Sequence, residues 1–285
     1  MLAFRPQIVS RIKDLLRPHV RPRRFHAFGV ALPKTGTHSL AGVFSRYRAW
    51  HEPDRDYYAQ IVVGRTTGDL SDSATLDLLR QLDRRWWLEL NSSWLNYFFL
   101  DLLLAEYPQA RFVLTIRDCY SWLDSMFNQV LARSHADSPQ LAEFYRWYAG
   151  ILVPGSHEDG DRVLAERRLW PLDAWLRFWN QHNTRILALV PRERLLIVRT
   201  QDIRRDAPRL AEFLGVPPDT LDAGRSHEHK AEAKFGLVSD IDENYLHARV
   251  AARCGDLMEK FFPEIRSVSD VPGLTRDAVP DATTS

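Results

Sequence analysis

Residues 25–47 read FHAFGVALPKTGTHSLAGVFSRY, and this stretch decides the fold prediction. Residues 26–32 form a short apolar run that stops at Pro33, which is typical of a buried strand. Beyond the next few residues, Leu40, Val43, Phe44 and Tyr47 recur at the spacing of one helix face. The stretch is therefore predicted to form a strand, a loop and a helix, with residues 33–39 as the loop.

The predicted loop carries groups that suit an anion. Lys34 supplies a compact cation, Gly36 allows close backbone approach, and hydroxyl groups follow. Backbone N–H groups at a helix N-terminus also favour negative charge. The common nucleotide pattern Gly-x-x-x-x-Gly-Lys-Ser/Thr is absent, because the lysine here precedes the glycine. The residues expected to bind the anion are Lys34, Thr35, Gly36, Thr37, His38 and Ser39.

Further strand and helix units follow along the chain. An apolar run at 86–88 ends at Glu89, and a buried strand at 111–116 ends at Arg117. Each is followed by a helical pattern, and a late strand at 195–198 leads into another. Such alternation predicts an α/β fold with a parallel sheet. Lys34, Glu89 and Arg117 are then expected at the carboxyl edge, where open parallel sheets bind ligands.

With these residues in place, the chain resembles the sulfotransferase family that uses 3′-phosphoadenosine-5′-phosphosulfate (PAPS). The family's 5′-phosphosulfate loop is similar to Pro33–Ser39. A second family element is an arginine at a strand end with a serine eight residues on, which holds the donor's 3′-phosphate. Arg117 and Ser125 match it. The resemblance covers about residues 25–215 and implies a three-layer sandwich, related to P-loop nucleotide hydrolases, with a central parallel sheet and a helical insertion.

The resemblance also implies the reaction. A soluble, bacterial-type member would move a sulfuryl group from PAPS to a hydroxyl or amine, leaving adenosine 3′,5′-bisphosphate. The acceptor would be a small molecule, a sugar or a lipid-like alcohol. Such a transfer depends on positioning and charge neutralisation, which Lys34 and the loop amides can supply. We therefore expect no requirement for a metal.

Two residues are candidates for the catalytic base that takes the acceptor proton. Glu89 is the first choice, because its context looks like the Glu-Lys-Ser segment of family members that act on sugar chains. Leu90 departs from that segment, since it replaces the lysine. His38 is the rival, because imidazole titrates near neutrality and this residue lies inside the loop.

A late basic segment at residues 225–236 is similar in position to the family loop that closes over the 3′-phosphate. Lys230 and Lys234 are its candidate donor-binding residues. The alternative is a loop that is merely solvated. His227 and His229 lie nearby without a cysteine or carboxylate cluster at ligand spacing, so no metal site is predicted.

Composition limits the class of protein and its organisation. The formal net charge of +1 argues against nucleic acid as a partner, and the two cysteines fit a reducing, cytoplasmic compartment. No apolar run reaches the ~20 residues of a membrane span. The predicted organisation is a basic arm at 1–24, a single domain at 25–265 with a helical insertion at about 139–190, and a flexible tail at 266–285.

Several alternatives stay open on the sequence alone. The basic arm either packs on its own domain or lies peripherally on an anionic membrane surface. The same strand and helix pattern is found in kinases that use ATP, but ATP lacks the 3′-phosphate that Arg117 and Ser125 would hold. A non-catalytic nucleotide-binding or scaffold module is the other alternative. The acceptor and the oligomeric state are left undetermined.

Overall fold

The computed structural model describes residues 21–132, 144, 148, 155–227 and 234–274. Within these residues, five strands form one sheet in the order β2-β3-β1-β4-β5, and every pair is parallel. This confirms the predicted α/β fold. The strands are β1 Ala27–Gly29, β2 Ala49–His51, β3 Leu90–Ser92, β4 Arg111–Ile116 and β5 Leu195–Arg199.

Helices cover both faces of the sheet. Ala27 and Val113 point to one face, where they pack with Leu40 of α1 and Leu210 of α8. Their neighbours along the strands point to the other face, into a larger core that the remaining helices contribute to. The α-helices of the described residues are α1 Thr37–Val43, α2 Arg55–Thr67, α3 Asp72–Trp86, α4 Leu100–Glu106, α5 Cys119–Ala132, α6 Arg162–Glu166, α7 Leu172–Leu189, α8 Ala207–Leu214 and α9 Glu243–Phe261.

The strand predicted at residues 86–88 is wrong. Trp86 is the last residue of α3, and Trp87 follows it with φ 50° as the helix C-cap. The apolar character that suggested a strand instead serves helix packing, because Leu79, Leu82 and Trp86 lie on the core side of α3. The strand in this region is the next triplet, β3.

Residues before the first strand and after the last helix also pack on the domain. Arg23 pairs with Asp83 of α3, with Nη1 3.0 Å from Oδ2, so residues 21–24 pack on the domain. At the other end a 3₁₀ turn at Val268–Asp270 carries buried Val268, and ordered packing therefore continues past residue 265.

Residues 1–20 and 275–285 lie outside the described residues, as do parts of the predicted helical insertion. Among the helices that the structure describes, none combines the length and hydropathy needed to cross a bilayer.

Candidate active site

The loop between β1 and α1 adopts an unusual backbone path. Lys34 has φ 65° and Gly36 has φ 92°, both in the left-handed region. At Gly36 a Cβ atom would lie 2.7 Å from Ile203 Cδ1, so the end of that side chain would have to shift. The conformation therefore favours glycine at this position, and the close packing adds to the preference.

Side chains from several elements hold the loop by its carbonyl groups. Thr200, just after β5, donates from Oγ1 to the Thr35 carbonyl at 2.7 Å. Trp122 Nε1 donates to the Pro33 carbonyl at 3.0 Å, and His182 Nε2 contacts the Val30 carbonyl at 2.8 Å. The path of the loop is therefore set by contacts that come from α5, α7 and the end of β5.

Arg117 lies directly after β4 and reaches the same loop. Its Nη1 donates to the Lys34 carbonyl at 3.3 Å, and its Nε donates to Ser121 Oγ at 3.0 Å. Ser121 Oγ in turn donates to the buried carboxylate of Asp118, which also accepts the Ser121 N–H at 2.8 Å. Burial lowers the pKa of Arg117, and the charges of Asp118 and Asp124 oppose this shift. The guanidinium is thus held in one orientation beside Lys34.

Of the other predicted 3′-phosphate residues, Ser125 lies on α5 and Lys234 lies near that helix. Ser125 is buried and sits one turn beyond Ser121, on the same helix face. Lys234 is exposed. It lies near α5, because the N–H of the next residue, Phe235, donates to Asn128 Oδ1 at 2.8 Å. Burial raises the pKa of Asp124, and the charges of Lys234 and Arg117 both act against this rise. Lys230 lies outside the described residues.

Glu89 lies elsewhere. It precedes β3 and therefore sits at the amino edge of the sheet, opposite the edge that carries Lys34 and Arg117. Its side chain is 2% exposed, and it accepts the N–H of Arg24 at 2.9 Å and the N–H of Arg48 at 3.0 Å. The expectation of three charged residues on one edge is met by two of them. The reason is the misplaced strand at 86–88.

Three residues at the carboxyl edge are not among the site residues predicted from the sequence. Ser92 ends β3 and donates from Oγ to the Thr37 carbonyl at 2.7 Å, while His51 ends β2 and places Nε2 3.0 Å from Thr37 Oγ1. The third is Thr200. The ring of His38 lies 5.0 Å from that of His51. The signal for His51 was weak, because its strand has three residues and no apolar run.

The arrangement gathers an ammonium, a guanidinium, hydroxyl groups and two imidazoles on one edge of a parallel sheet. Such a set can bind an anionic ligand and accept a proton beside it. Within the described ranges, the His, Cys, Asp and Glu side chains do not gather in threes that could hold a metal ion.

Comparison with known proteins gives these features a context. A sequence model described as "Sulfotransferase domain" matches residues 27–231. Over 104 residues the chain is 35% identical to "Ava biosynthesis cluster protein M" of Aspergillus versicolor, a match that covers 35% of this chain and 40% of that protein.

Two solved structures are also similar to this chain. The sulfotransferase from Alicyclobacillus acidocaldarius shows 17% identity and a TM-score of 0.45, over 82% of this chain and 96% of its own. The sulfotransferase domain from the curacin biosynthetic pathway shows 15% identity and a TM-score of 0.38, over 76% and 83%. Because the family model spans more than half of the sequence, from β1 to beyond α8, the chain belongs to the sulfotransferase domain family.

Proposed function

We propose that this chain transfers a sulfuryl group from PAPS to a hydroxyl or amine of a small-molecule, sugar or lipid-like acceptor. Membership of the family supports sulfuryl transfer. The choice of donor rests on one contact, the 3.3 Å bond from Arg117 Nη1 to the Lys34 carbonyl. It brings the cation after β4 against the loop after β1, so that a nucleotide with anionic groups at both its 5′ and 3′ ends would meet both.

The residues of the site fit such a donor. The left-handed conformations of Lys34 and Gly36 form a tight turn before α1, and Gly36 packs closely against Ile203. A guanidinium held by Ser121 is suited to a phosphate, because its planar fork binds two oxygens at once. Ser125 lies on α5, and Lys234 precedes Phe235, whose N–H donates to Asn128 of the same helix. Ser125 and Lys234 would complete the 3′-phosphate site, with Lys230 as a further candidate.

The chemistry requires one bond to form and one to break. The acceptor oxygen or nitrogen bonds to sulfur while the bond from sulfur to the bridging phosphate oxygen breaks, and adenosine 3′,5′-bisphosphate leaves. Lys34 would neutralise the charge that develops on the leaving phosphate. A base would take the acceptor proton, and of the two candidates from the sequence, His38 lies with the loop.

A binding measurement tests the donor. We expect calorimetry to show at least about tenfold tighter binding of adenosine 3′,5′-bisphosphate than of ATP, a difference of about 1.4 kcal/mol. Preference for ATP would favour a kinase. Binding of neither nucleotide would favour a scaffold.

A pair of arginine variants tests whether Arg117 contributes to nucleotide binding. Arg117→Lys removes the planar fork and should weaken adenosine 3′,5′-bisphosphate binding by about tenfold or more. Arg111→Lys is the matched control, because Arg111 lies at the opposite end of β4 with its guanidinium 5.1 Å from the Phe213 ring. It should leave the affinity unchanged. Equal effects of both variants would remove the assignment of Arg117.

A transfer assay tests the reaction itself. Sulfur-labelled PAPS would be offered with a naphthol, N-acetylglucosamine and decanol, one for each acceptor class, and labelled products separated from free sulfate. We expect transfer to at least one of them, and the same rate in excess EDTA. Loss of activity in EDTA that a divalent ion restores would show that the reaction requires a metal. Tight binding without any transfer would leave a non-catalytic binding module.

A further inference from the structure

The turn that follows β2 brings a histidine and a carboxylate to the donor loop. His51 Nε2 lies 3.0 Å from Thr37 Oγ1 at the start of α1. Glu52 Oε1 lies 3.7 Å from the same nitrogen, and Arg55 Nη1 lies 3.9 Å from the other carboxylate oxygen of Glu52. The ring of His38 approaches from α1. Among the described residues, Glu52 and His38 are thus titratable groups that face His51, and Arg55 lies behind Glu52.

The position of His51 in the sheet separates it from the nucleotide side of the site. In the strand order β2-β3-β1-β4-β5, Arg117 follows β4 on one side of the loop, whereas His51 ends β2 on the other. An attacking group must approach sulfur opposite the leaving phosphate. If the nucleoside extends toward Arg117, the acceptor arrives from the side where β3 and β2 end.

The environment of His51 suits a general base that contacts the sulfuryl acceptor. The side chain is 25% exposed, so a ligand can touch it, while the contact with Thr37 orients the ring and Glu52 lies within ion-pair distance. With Glu52 and Thr37 both facing Nε2, the tautomer with a proton on Nε2 is favoured and the lone pair falls on Nδ1. The carboxylate would stabilise the imidazolium that forms when the base accepts a proton.

The backbone of this turn is strained. Glu52 has φ 48° and Asp54 has φ 44°, on either side of Pro53, although neither is glycine. Residues held in this region cost about 1 kcal/mol or more, and they concentrate at functional sites. The Glu52 N–H donates to the Ser92 carbonyl at 3.1 Å, which ties the strained turn to the end of β3.

We infer that His51 is the general base of the transfer, with the Glu52 carboxylate beside its ring and a contact to the donor loop through Thr37. The inference rests on the proposed function and deepens it, because it assigns the acceptor side of the same site. The acceptor O–H proton passes to the imidazole of His51 as the oxygen bonds to sulfur. The leaving adenosine 3′,5′-bisphosphate takes the electron pair of the broken bond.

The first test compares a substitution of His51 with a control substitution of a distant histidine. His51→Gln keeps a hydrogen-bonding group near Thr37 but removes the base, and should lower transfer from labelled PAPS by about 100-fold or more. Its affinity for adenosine 3′,5′-bisphosphate should not change, because the donor contacts remain. His247→Gln is the control, since His247 is exposed on α9 and should leave transfer unchanged.

A pH profile distinguishes the two imidazoles. Transfer by the wild type and by His38→Gln should rise between about pH 5 and pH 8 as the base loses its proton, and His51→Gln should lack this rise. A rise that is lost in His38→Gln and kept in His51→Gln would assign the base to His38 and overturn the inference.

The remaining outcomes separate this inference from the proposed function. Normal transfer by His51→Gln would overturn the role of His51 while leaving the sulfotransferase assignment intact. Weakened nucleotide binding with an unchanged turnover number would reduce His51 to a support of the loop, and would also overturn it. Failure of the wild type to bind adenosine 3′,5′-bisphosphate or to transfer any label would remove the proposed function, and this inference with it.

Discussion

At the scale of single residues, the conformation of Gly36 is the most sharply constrained feature of the loop. Its φ of 92° is strained for any other residue, and a Cβ atom would press against Ile203 and Thr200. Thr200 also holds the Thr35 carbonyl. A substitution here would therefore move the contact that sets the path of the loop.

Gly36→Ala is expected to weaken adenosine 3′,5′-bisphosphate binding by at least about tenfold, or about 1.4 kcal/mol. Gly68→Ala provides the control, because Gly68 has φ 85° but open space where its Cβ atom would lie. Both variants carry a similar backbone cost of about 1–2 kcal/mol in folding stability, because alanine is strained in the left-handed region. Calorimetry and urea unfolding measure the two effects separately. Equal affinity in both variants would mean that the loop tolerates the displacement.

The bonds from Arg117 through Ser121 to Asp118 lead to a second prediction. Ser121→Ala removes the hydroxyl that accepts from Arg117 Nε, and Asp118→Asn removes the charge behind it. The guanidinium then gains rotational freedom, which costs binding energy. We expect each variant to weaken adenosine 3′,5′-bisphosphate binding by about 5- to 20-fold, in keeping with the loss of one charge-assisted hydrogen bond.

The control for this pair is Thr184→Ala, because Thr184 is an exposed residue of α7 whose hydroxyl contacts Asn180 alone in the described residues. It should bind the nucleotide like the wild type. The prediction would be contradicted by normal affinity in both Ser121→Ala and Asp118→Asn.

Local sequence identified some site residues and could not identify others. The loop residues and Arg117 were predicted because each follows a recognisable strand within a few positions. His51, Ser92 and Thr200 join the site only through strand order, which brings together residues far apart in the chain. The predicted roles of the loop residues in donor binding stay predictions that the variants above test.

At the scale of elements, the length of the apolar run decided which strands could be predicted, because even the three-residue β1 lies within the apolar run at 26–32. β4 and β5 are runs of six and five residues, and their apolar patterns are readable. β2 and β3 have three residues each, and Trp50 of β2 is 60% exposed. Such short strands form because neighbouring strands pair with them, and this pairing cannot be predicted from the local sequence.

Glu89 belongs to this scale, because it joins three segments. Its carboxylate accepts backbone N–H groups from Arg24 and from Arg48, and Arg48 Nη2 lies 3.3 Å from Oε1. Glu89→Gln keeps the shape but removes the charge from a buried ion pair. We expect a loss of about 2–4 kcal/mol in the free energy of unfolding and a turnover number close to that of the wild type.

Urea unfolding and the PAPS transfer assay, at a temperature where both proteins are folded, measure the two quantities. Glu106→Gln is the comparison, since Glu106 forms a more exposed pair with Arg80 and should cost about 1 kcal/mol or less. A stable Glu89→Gln enzyme with turnover reduced by orders of magnitude would restore Glu89 as the catalytic base.

At the scale of the whole molecule, the class of fold was predictable and the strand order was not. Alternating strand and helix patterns require parallel strands with helices on both faces, because each crossover must return over the sheet. The central position of β1, between β3 and β4, depends on pairings across more than 60 residues. This order is what places Arg117 and His51 on opposite sides of the donor loop.

The buried His182 is expected to make the stability of the folded protein depend on pH. It lies on α7, is 1% exposed and stacks on the Tyr97 ring at 4.2 Å, and its Nε2 contacts the Val30 carbonyl at 2.8 Å. Its Nδ1 is buried without a hydrogen-bond partner in the described residues. Burial lowers the pKa of His182 to about 3 and also lowers the pKa of His26.

The sign of the effect follows from proton uptake. Between about pH 6.5 and pH 3 the unfolded chain protonates this histidine and the folded protein does not, so stability falls as the pH falls. One such group contributes a slope approaching about 1.4 kcal/mol per pH unit within the window. His182→Gln keeps an N–H donor for the Val30 carbonyl but cannot titrate, and it should unfold in urea with a shallower pH dependence between about pH 7 and pH 5. Identical slopes for the two proteins would show that folding does not shift the pKa of His182, and would contradict the prediction.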